Sequence, residues 1–239
     1  MKLLFAADLH YALKQFDWLT ANASECDALI IGGDLLDLGG ALETDLQAVV
    51  VEKYLHKLSK LTRVIVSSGN HDGDHHDANG ESRARWLGEM KDEQLHVDGE
   101  SLDVAGMRIT VCPWWDGPVT RAEVEQQLIA AVPSAGTPWV WVYHAAPEGP
   151  LSWTGKEFIG DATLTEWIAR FSPHIVLSGH IHNAPFYAQG SWIDRIGETW
   201  AFNPGRQIGG CPAVLRFDLE KQEVSWHSQE GVEERSLAG

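Results

Sequence analysis

Five short polar clusters carry the residue types best suited to chemistry in this 239-residue chain. In order they are Asp8-Leu9-His10, Gly33-Asp34-Leu35-Leu36-Asp37, Gly69-Asn70-His71-Asp72, a lone His144, and Gly179-His180-Ile181-His182. Carboxylate oxygens together with imidazole nitrogens suit borderline divalent ions such as Zn, Mn or Fe. Asp8 and His10 lie two residues apart, as do His180 and His182, so on an extended strand each pair faces one side. Cys26, Cys112 and Cys211 take no part, which argues against a structural thiolate zinc site. The set is too large for one tetrahedral ion. About seven ligands fit two ions, with one carboxylate bridging them.

Each cluster follows a short apolar run. The runs 3–7, 28–31, 64–66, 139–143 and 175–177 lead directly into Asp8, Gly32, Ser67, His144 and Ser178. Continuous apolar character predicts strands covered on both faces, and polar residues at their carboxyl ends fit the ligand-binding edge of an α/β sheet. Between them, Leu42, Leu46, Val49, Val50, Tyr54, Leu58 and Leu61 recur at three and four, which predicts one apolar helix face. Residues 121–131 and 163–171 read as helices stopped by Pro133 and Pro173. The segments 108–112, 199–202, 213–217 and 223–227 are strand-like, with no helix between the last three. They predict a second, partly antiparallel sheet, all within one domain spanning 1–239.

Composition narrows the function classes. With 44% hydrophobic and 22% charged residues, the chain is neither disordered nor fibrous. Its formal net charge of −16 makes it a poor candidate for sequence-independent grip on a nucleic-acid backbone. The 11 histidines favour a metal site over a polyanion clamp. Three cysteines at unpatterned spacings suit a reduced, cytoplasmic chain. The apolar start is broken at Asp8, too early for a signal segment, and no run approaches the roughly 18 apolar residues of a membrane span.

The ordered set D-x-H, G-D-x-x-D, G-N-H-D, H and G-H-x-H resembles the calcineurin-like metallophosphoesterases. From Asp8 to His182 the resemblance covers about three quarters of the chain. It implies a four-layer α/β/β/α sandwich with two mixed sheets. It also implies a metal-dependent phosphoesterase that cleaves a small phosphodiester or phosphomonoester by attack of a metal-bridging hydroxide. Two divalent ions, Mn, Fe or Zn, are implied as cofactors. Asp8, His10 and His182 would hold the first, Asn70, His144 and His180 the second, and Asp34 would bridge them. His71 would assist the leaving group and Asp72 would orient His71. The presence of His71 leans slightly towards diesters. A nuclease of the same family and a non-catalytic scaffold on the same fold are the alternatives, and the acidic charge weighs against the first.

Several residues stand outside these blocks. Asp37 reads equally as a helix N-cap or as a neighbour of the metal ligands. Trp114-Trp115 reads first as packing between the two sheets and second as an aromatic wall beside the substrate. The Pro/Gly-rich loop 147–155, carrying Trp153, is expected to overhang the site. Asn203-Pro204-Gly205-Arg206 offers either a phosphate contact or an internal ion pair through Arg206. The run Asp74-His75-His76-Asp77 reads as a solvated loop.

Overall fold

In the computed structural model, which describes residues 1–90 and 92–238, the apolar runs become strands. They are β1 (Lys2–Ala6), β2 (Ala28–Gly32), β3 (Arg63–Ser67), β4 (His75–His76), β5 (Ser82–Arg83), β6 (Leu95–His96), β7 (Ser101–Val104) and β8 (Met107–Val111). Then follow β9 (Trp139–Val142), β10 (Ile175–Leu177), β11 (Ile193–Ile196), β12 (Thr199–Phe202), β13 (Val214–Asp218), β14 (Glu223–Ser228) and β15 (Gly231–Ser236). The helices are α1 (Leu13–Asn22), α2 (Thr44–Ser59), α3 (Arg85–Gly88), α4 (Pro118–Ala131) and α5 (Ala162–Phe171).

Two mixed sheets face each other. The first has the order β15-β14-β13-β1-β2-β3-β6, and the second β11-β12-β10-β9-β8-β7. Alternation along the strands sorts side chains between layers. Leu4, Ala6, Leu29, Ile31, Val64 and Val66 point outward to Phe16 and Leu19 of α1 and Val51, Leu55 and Leu58 of α2. Leu3, Phe5, Ala28, Ile30 and Ile65 point inward and meet Ile109, Val111, Val140, Val142, Ile175 and Leu177 of the second sheet. Trp139, Trp141, Val176 and Ala201 point out again, against Val124 and Leu128 of α4 and Leu164 and Trp167 of α5. Helix, sheet, sheet and helix therefore stack as four layers. Trp192 and Trp226 stack between the sheets with ring centroids 6.4 Å apart, and all three interlayer cores hold buried tryptophan, Trp86 in the first and Trp139, Trp141 and Trp167 in the last. No described helix is long and apolar enough to cross a membrane.

Three features differ from expectation. The late strands do not form the second sheet by themselves: β12 joins it beside β10, but β13 and β14 pair antiparallel back onto β1. The first sheet is thus parallel from β1 to β6 and antiparallel from β1 to β15, and the second is parallel at its centre and antiparallel at both margins. Residues 13–22, 101–104, 193–196 and 231–236 also form elements without a strong apolar period to announce them.

The third difference is the face of α2. Leu42, Leu46, Val49 and Leu61 are exposed, and the buried face is Gln47, Ala48, Val51, Leu55 and Leu58. The Gln47 amide accounts for this rotation. It accepts a hydrogen bond from the Asp37 N–H (2.8 Å) and donates to the Asp37 and Leu42 carbonyls (2.9 and 2.7 Å). Turning the Leu46 stripe inward would break all three and strand the loop's polar backbone. Gln47→Leu is expected to cost about 1–3 kcal/mol in a urea titration despite adding apolar volume. An unchanged midpoint would show that the loop does not hang on this amide.

Candidate metal centre

Five strands deliver the site. In the first sheet β1, β2 and β3 end just before Asp8, Asp34 and Asn70; in the second β9 and β10 end before His144 and His180. The side chains meet where the carboxyl ends of both sheets come together. They do not sit on the strands. Asp8, His10, Asp34 and His180 all adopt left-handed backbone, with φ of 56°, 41°, 53° and 65°. The Asp8/His10 and His180/His182 pairs therefore converge by tight turns, and strand alternation plays no part. Each such residue costs on the order of 1–3 kcal/mol and persists only where its surroundings hold it.

The holding bonds are explicit. Asp8 N–H donates to Gly33 O (3.1 Å), His10 N–H to Asp34 O (2.9 Å) and Tyr11 N–H to Leu35 O (2.8 Å). The His180 N–H donates to the Asp8 carboxylate at 3.0 and 3.1 Å, and the His71 N–H to Asp34 Oδ1 at 2.9 Å. Gly69 allows this closeness, because a Cβ there would lie 2.2 Å from Asp34 Oδ1 and 2.5 Å from Asp34 N.

The side chains form two groups that share Asp34. In one, ligand atoms of Asp8, His10, Asp34 and His182 all lie within 4.8 Å of one another; in the other, those of Asp34, His144 and His180 do. Asp34 turns Oδ2 to His10 Nε2 (3.5 Å) and Oδ1 to His144 Nε2 (3.4 Å). Asn70 Oδ1 joins the second group, 3.3 Å from His144 Nε2 and 2.8 Å from His180 Nδ1. His10 Nε2 and His182 Nε2 stand 3.0 Å apart, and Asp8 Oδ1 is 3.5 Å from His182 Nε2.

This donor set fits divalent cations. The His144 Nδ1–H donates to Gly32 O (2.7 Å), which directs the Nε2 lone pair of the neutral ring at two acceptors, Asp34 Oδ1 and Asn70 Oδ1. Nε2 therefore meets two oxygens, which calls for a positive centre among the three atoms, either the ring's own second proton or a metal cation in its place. Asp8 and Asp34 are fully buried, and among the described residues no lysine or arginine lies within 4.0 Å of either. Buried carboxylates left so are costly. Burial opposes charge on His144, but the Asp34 and Asp8 carboxylates outweigh it and lift its pKa to about 10. Burial pushes His10 and His180 down to about 4, which leaves their rings neutral as metal ligands must be.

Asp72 corrects the sequence reading. Among the described residues its carboxylate makes no hydrogen bond to the His71 ring. Its Oδ1 accepts from the Leu35 and Leu36 N–H groups (2.9 and 3.0 Å) and its Oδ2 from the Gly69 N–H (2.8 Å). It braces the turn carrying Asp34 against the turn carrying Asn70. His71 is oriented by a backbone group with no residue-type signal, the Leu38 N–H, which donates to its Nδ1 at 3.2 Å.

The remaining candidates sort clearly. Asp37 is not a helix cap, since Glu43 precedes α2; its carboxylate accepts from Gly39 N–H and lies within 4.8 Å of the nitrogens of His10 and His71. Trp114 and Trp115 are not packed between the sheets. Trp114 stands at the site, its ring 5.4 Å from that of His180 and 5.6 Å from that of His144, and Ser68 Oγ fixes its backbone. Trp115 donates instead to the Tyr143 hydroxyl. The 147–155 loop is tied to the segment after His182, through Thr154 O to Asn183 and through Gly155 against Tyr187. His75 and His76 form the exposed strand of a small hairpin with Ser82 and Arg83, and no described metal-holding group includes them.

A family model of the calcineurin-like phosphoesterases matches residues 1–184. The chain belongs to this family. A solved structure of TT1561 from Thermus thermophilus resembles this phosphoesterase-family chain with a TM-score of 0.61 at 16% identity, over 99% of this chain and 98% of that one. Purple acid phosphatase PPD1 from yellow lupin aligns with a TM-score of 0.56 at 13% identity, over 100% of this chain and 52% of the lupin chain. At such identities both show a shared fold. No curated protein matches the chain in sequence.

Because Asp72 braces two turns, Asp72→Ala should cost about 3 kcal/mol or more in the metal-free protein, whereas His71→Ala should leave stability within about 1 kcal/mol. Equal, small losses in the two variants would return Asp72 to a role through His71.

Proposed function

We propose that the chain hydrolyses small phosphate esters at a centre of two divalent ions. The observation that carries this reading is the division of Asp34, one buried carboxylate whose two oxygens face two separate sets of imidazoles. Asp8, His10 and His182 would hold one ion, Asn70, His144 and His180 the other, and Asp34 would bridge them. When bound, such ions polarise phosphoryl oxygens and lower the pKa of a water nucleophile. Mn, Fe and Zn all suit these ligands.

The chain's own residues do the rest. His71 accepts the Leu38 N–H at Nδ1, so a neutral ring carries its proton on Nε2. That nitrogen faces into the cleft, 4.0 Å from Asp34 Oδ2, and is placed to give its proton to a departing oxygen. The His71 and His182 side chains are 25% and 34% exposed while Asp8, Asp34 and His144 are buried, so an ester approaches over the two histidines. Trp114 closes the side next to His180 and His144 and keeps water from those rings. The net charge of −16 disfavours long polyanions at the surface, which leaves small esters as the fitting substrates.

Two variants test the assignment. Asp34→Asn should lose at least one equivalent of metal in elemental analysis; full metal content would remove the bridging role. His71→Ala should keep its metal and lose about 10²–10⁴-fold in turnover of a p-nitrophenyl ester. Wild-type turnover in that variant would exclude His71 from leaving-group assistance.

A further inference from the structure

Asn203-Pro204-Gly205-Arg206 leaves β12 on the edge where the ligand side chains gather. The Asn203 side chain is buried. Its Nδ2 donates to Ile181 O (2.9 Å) and Leu151 O (3.1 Å), and its Oδ1 accepts from Gly205 N–H (2.8 Å). Gly205 is left-handed at φ 69°, and a Cβ there would stand 2.8 Å from His182 O. The Arg206 N–H donates to that same carbonyl at 3.0 Å. The turn is laced to the backbone that carries His180 and His182, and it holds Arg206 beside them.

Among the described residues the guanidinium has no partner. Seven of the ten arginines keep a carboxylate within 4.0 Å. Half-buried Arg206 keeps none among the described residues, in a chain with 34 acidic residues, and its side chain makes no hydrogen bond there. A fork of N–H donors is left unengaged on a turn held by hydrogen bonds to the His182 and Ile181 carbonyls. A guanidinium set beside a cation centre is repelled by it unless an anion lies between them. With two divalent ions offsetting the charges of Asp8 and Asp34 and a hydroxide nucleophile among them, the site is positive by about one, and Arg206 brings it to about two. A singly charged diester leaves much of that field unanswered, and a doubly charged phosphoryl group answers it.

We infer that Arg206 recognises the doubly charged terminal phosphoryl group of a phosphate monoester, and that this class is preferred over diesters. The inference rests on the two-metal hydrolase reading and reverses the slight lean towards diesters that the presence of His71 gives.

The test uses the full chain loaded with Mn, with p-nitrophenyl phosphate, bis-p-nitrophenyl phosphate and inorganic phosphate as probes. Arg206→Gln should weaken inorganic phosphate, titrated by calorimetry, by about 10- to 100-fold, and raise KM for the monoester in the same range. The diester's kcat/KM should stay within about threefold, and Arg206→Lys should recover part of the phosphate affinity. Unchanged phosphate affinity, or equal losses for both esters, would overturn the role of Arg206 and leave the hydrolase standing. If the wild type turns over neither ester with Mn, Ni or Zn, the hydrolase reading falls, and the phosphate titration still decides Arg206. Matching thermal melts of metal-free wild type and Arg206→Lys keep that comparison free of misfolding.

Discussion

Two carboxylates, Asp8 and Asp34, are buried at the ends of neighbouring parallel strands, and among the described residues no lysine or arginine pairs with them. Leaving water costs such groups heavily, and what they keep in return is a ring of imidazoles, an amide oxygen and backbone N–H groups. Much of the local structure follows from that constraint. The left-handed turns at Asp8 and Asp34 bring backbone donors to bear, and the His71 and His180 N–H groups are spent on the two carboxylates. The glycine at 69 exists where any side chain would strike Asp34. Asp72, itself buried, answers the same problem one layer down by collecting three backbone N–H groups from the turns it joins. Burial and the nearby Asp34 charge push its pKa up, and the Gly69 and Leu36 N–H groups oppose the shift.

The centre lies on a seam. Asp8, His10, Asp34 and Asn70 come from the first sheet, and His144, His180 and His182 from the second. Away from this edge the sheets are joined by apolar contact, with Phe5 and Ile30 on one side and Val142 and Leu177 on the other. Apolar packing is nondirectional and tolerates small sliding of one sheet over the other. The ligand bonds across the seam are directional, as in His144 Nδ1 to Gly32 O and His180 N–H to Asp8. These directional bonds hold the two sheets in register at the site.

The order of polar clusters at strand ends is written in residue type, because a buried strand must be apolar and a cation ligand must be Asp, Asn or His. That made Asp8, Asp34, Asn70, His144 and His180 legible together. Pairing of β13 with β1 is set by contacts between residues more than two hundred positions apart, Lys2 with Asp218 among them, and no local pattern carries that information. The rotation of α2 escaped for a related reason. Leucines are read as buried, yet three bonds to one glutamine outrank the Leu42–Leu46–Val49 stripe. Asp72 follows His71 in the chain, which invites pairing the two, but turn geometry sends its oxygens to residues 35, 36 and 69. Backbone partners such as the Leu38 N–H and the Gly32 carbonyl have no side-chain signature at all.

The distribution of charge completes the physical picture. Most arginines are neutralised where they stand, Arg83 by Asp77 and Glu123, Arg108 by Asp103 and Arg216 by Glu25. Positive potential is therefore spent locally over most of the surface, and the excess of acids stays outward. At the seam the order is inverted, with acids buried and answered by imidazoles while Arg206 is left open. With two divalent ions held there as proposed, an anion nearing the protein would meet a repulsive envelope and an attractive cleft. Within the ~8 Å screening length of physiological salt, only a compact anion can sit in the cleft without also meeting the envelope.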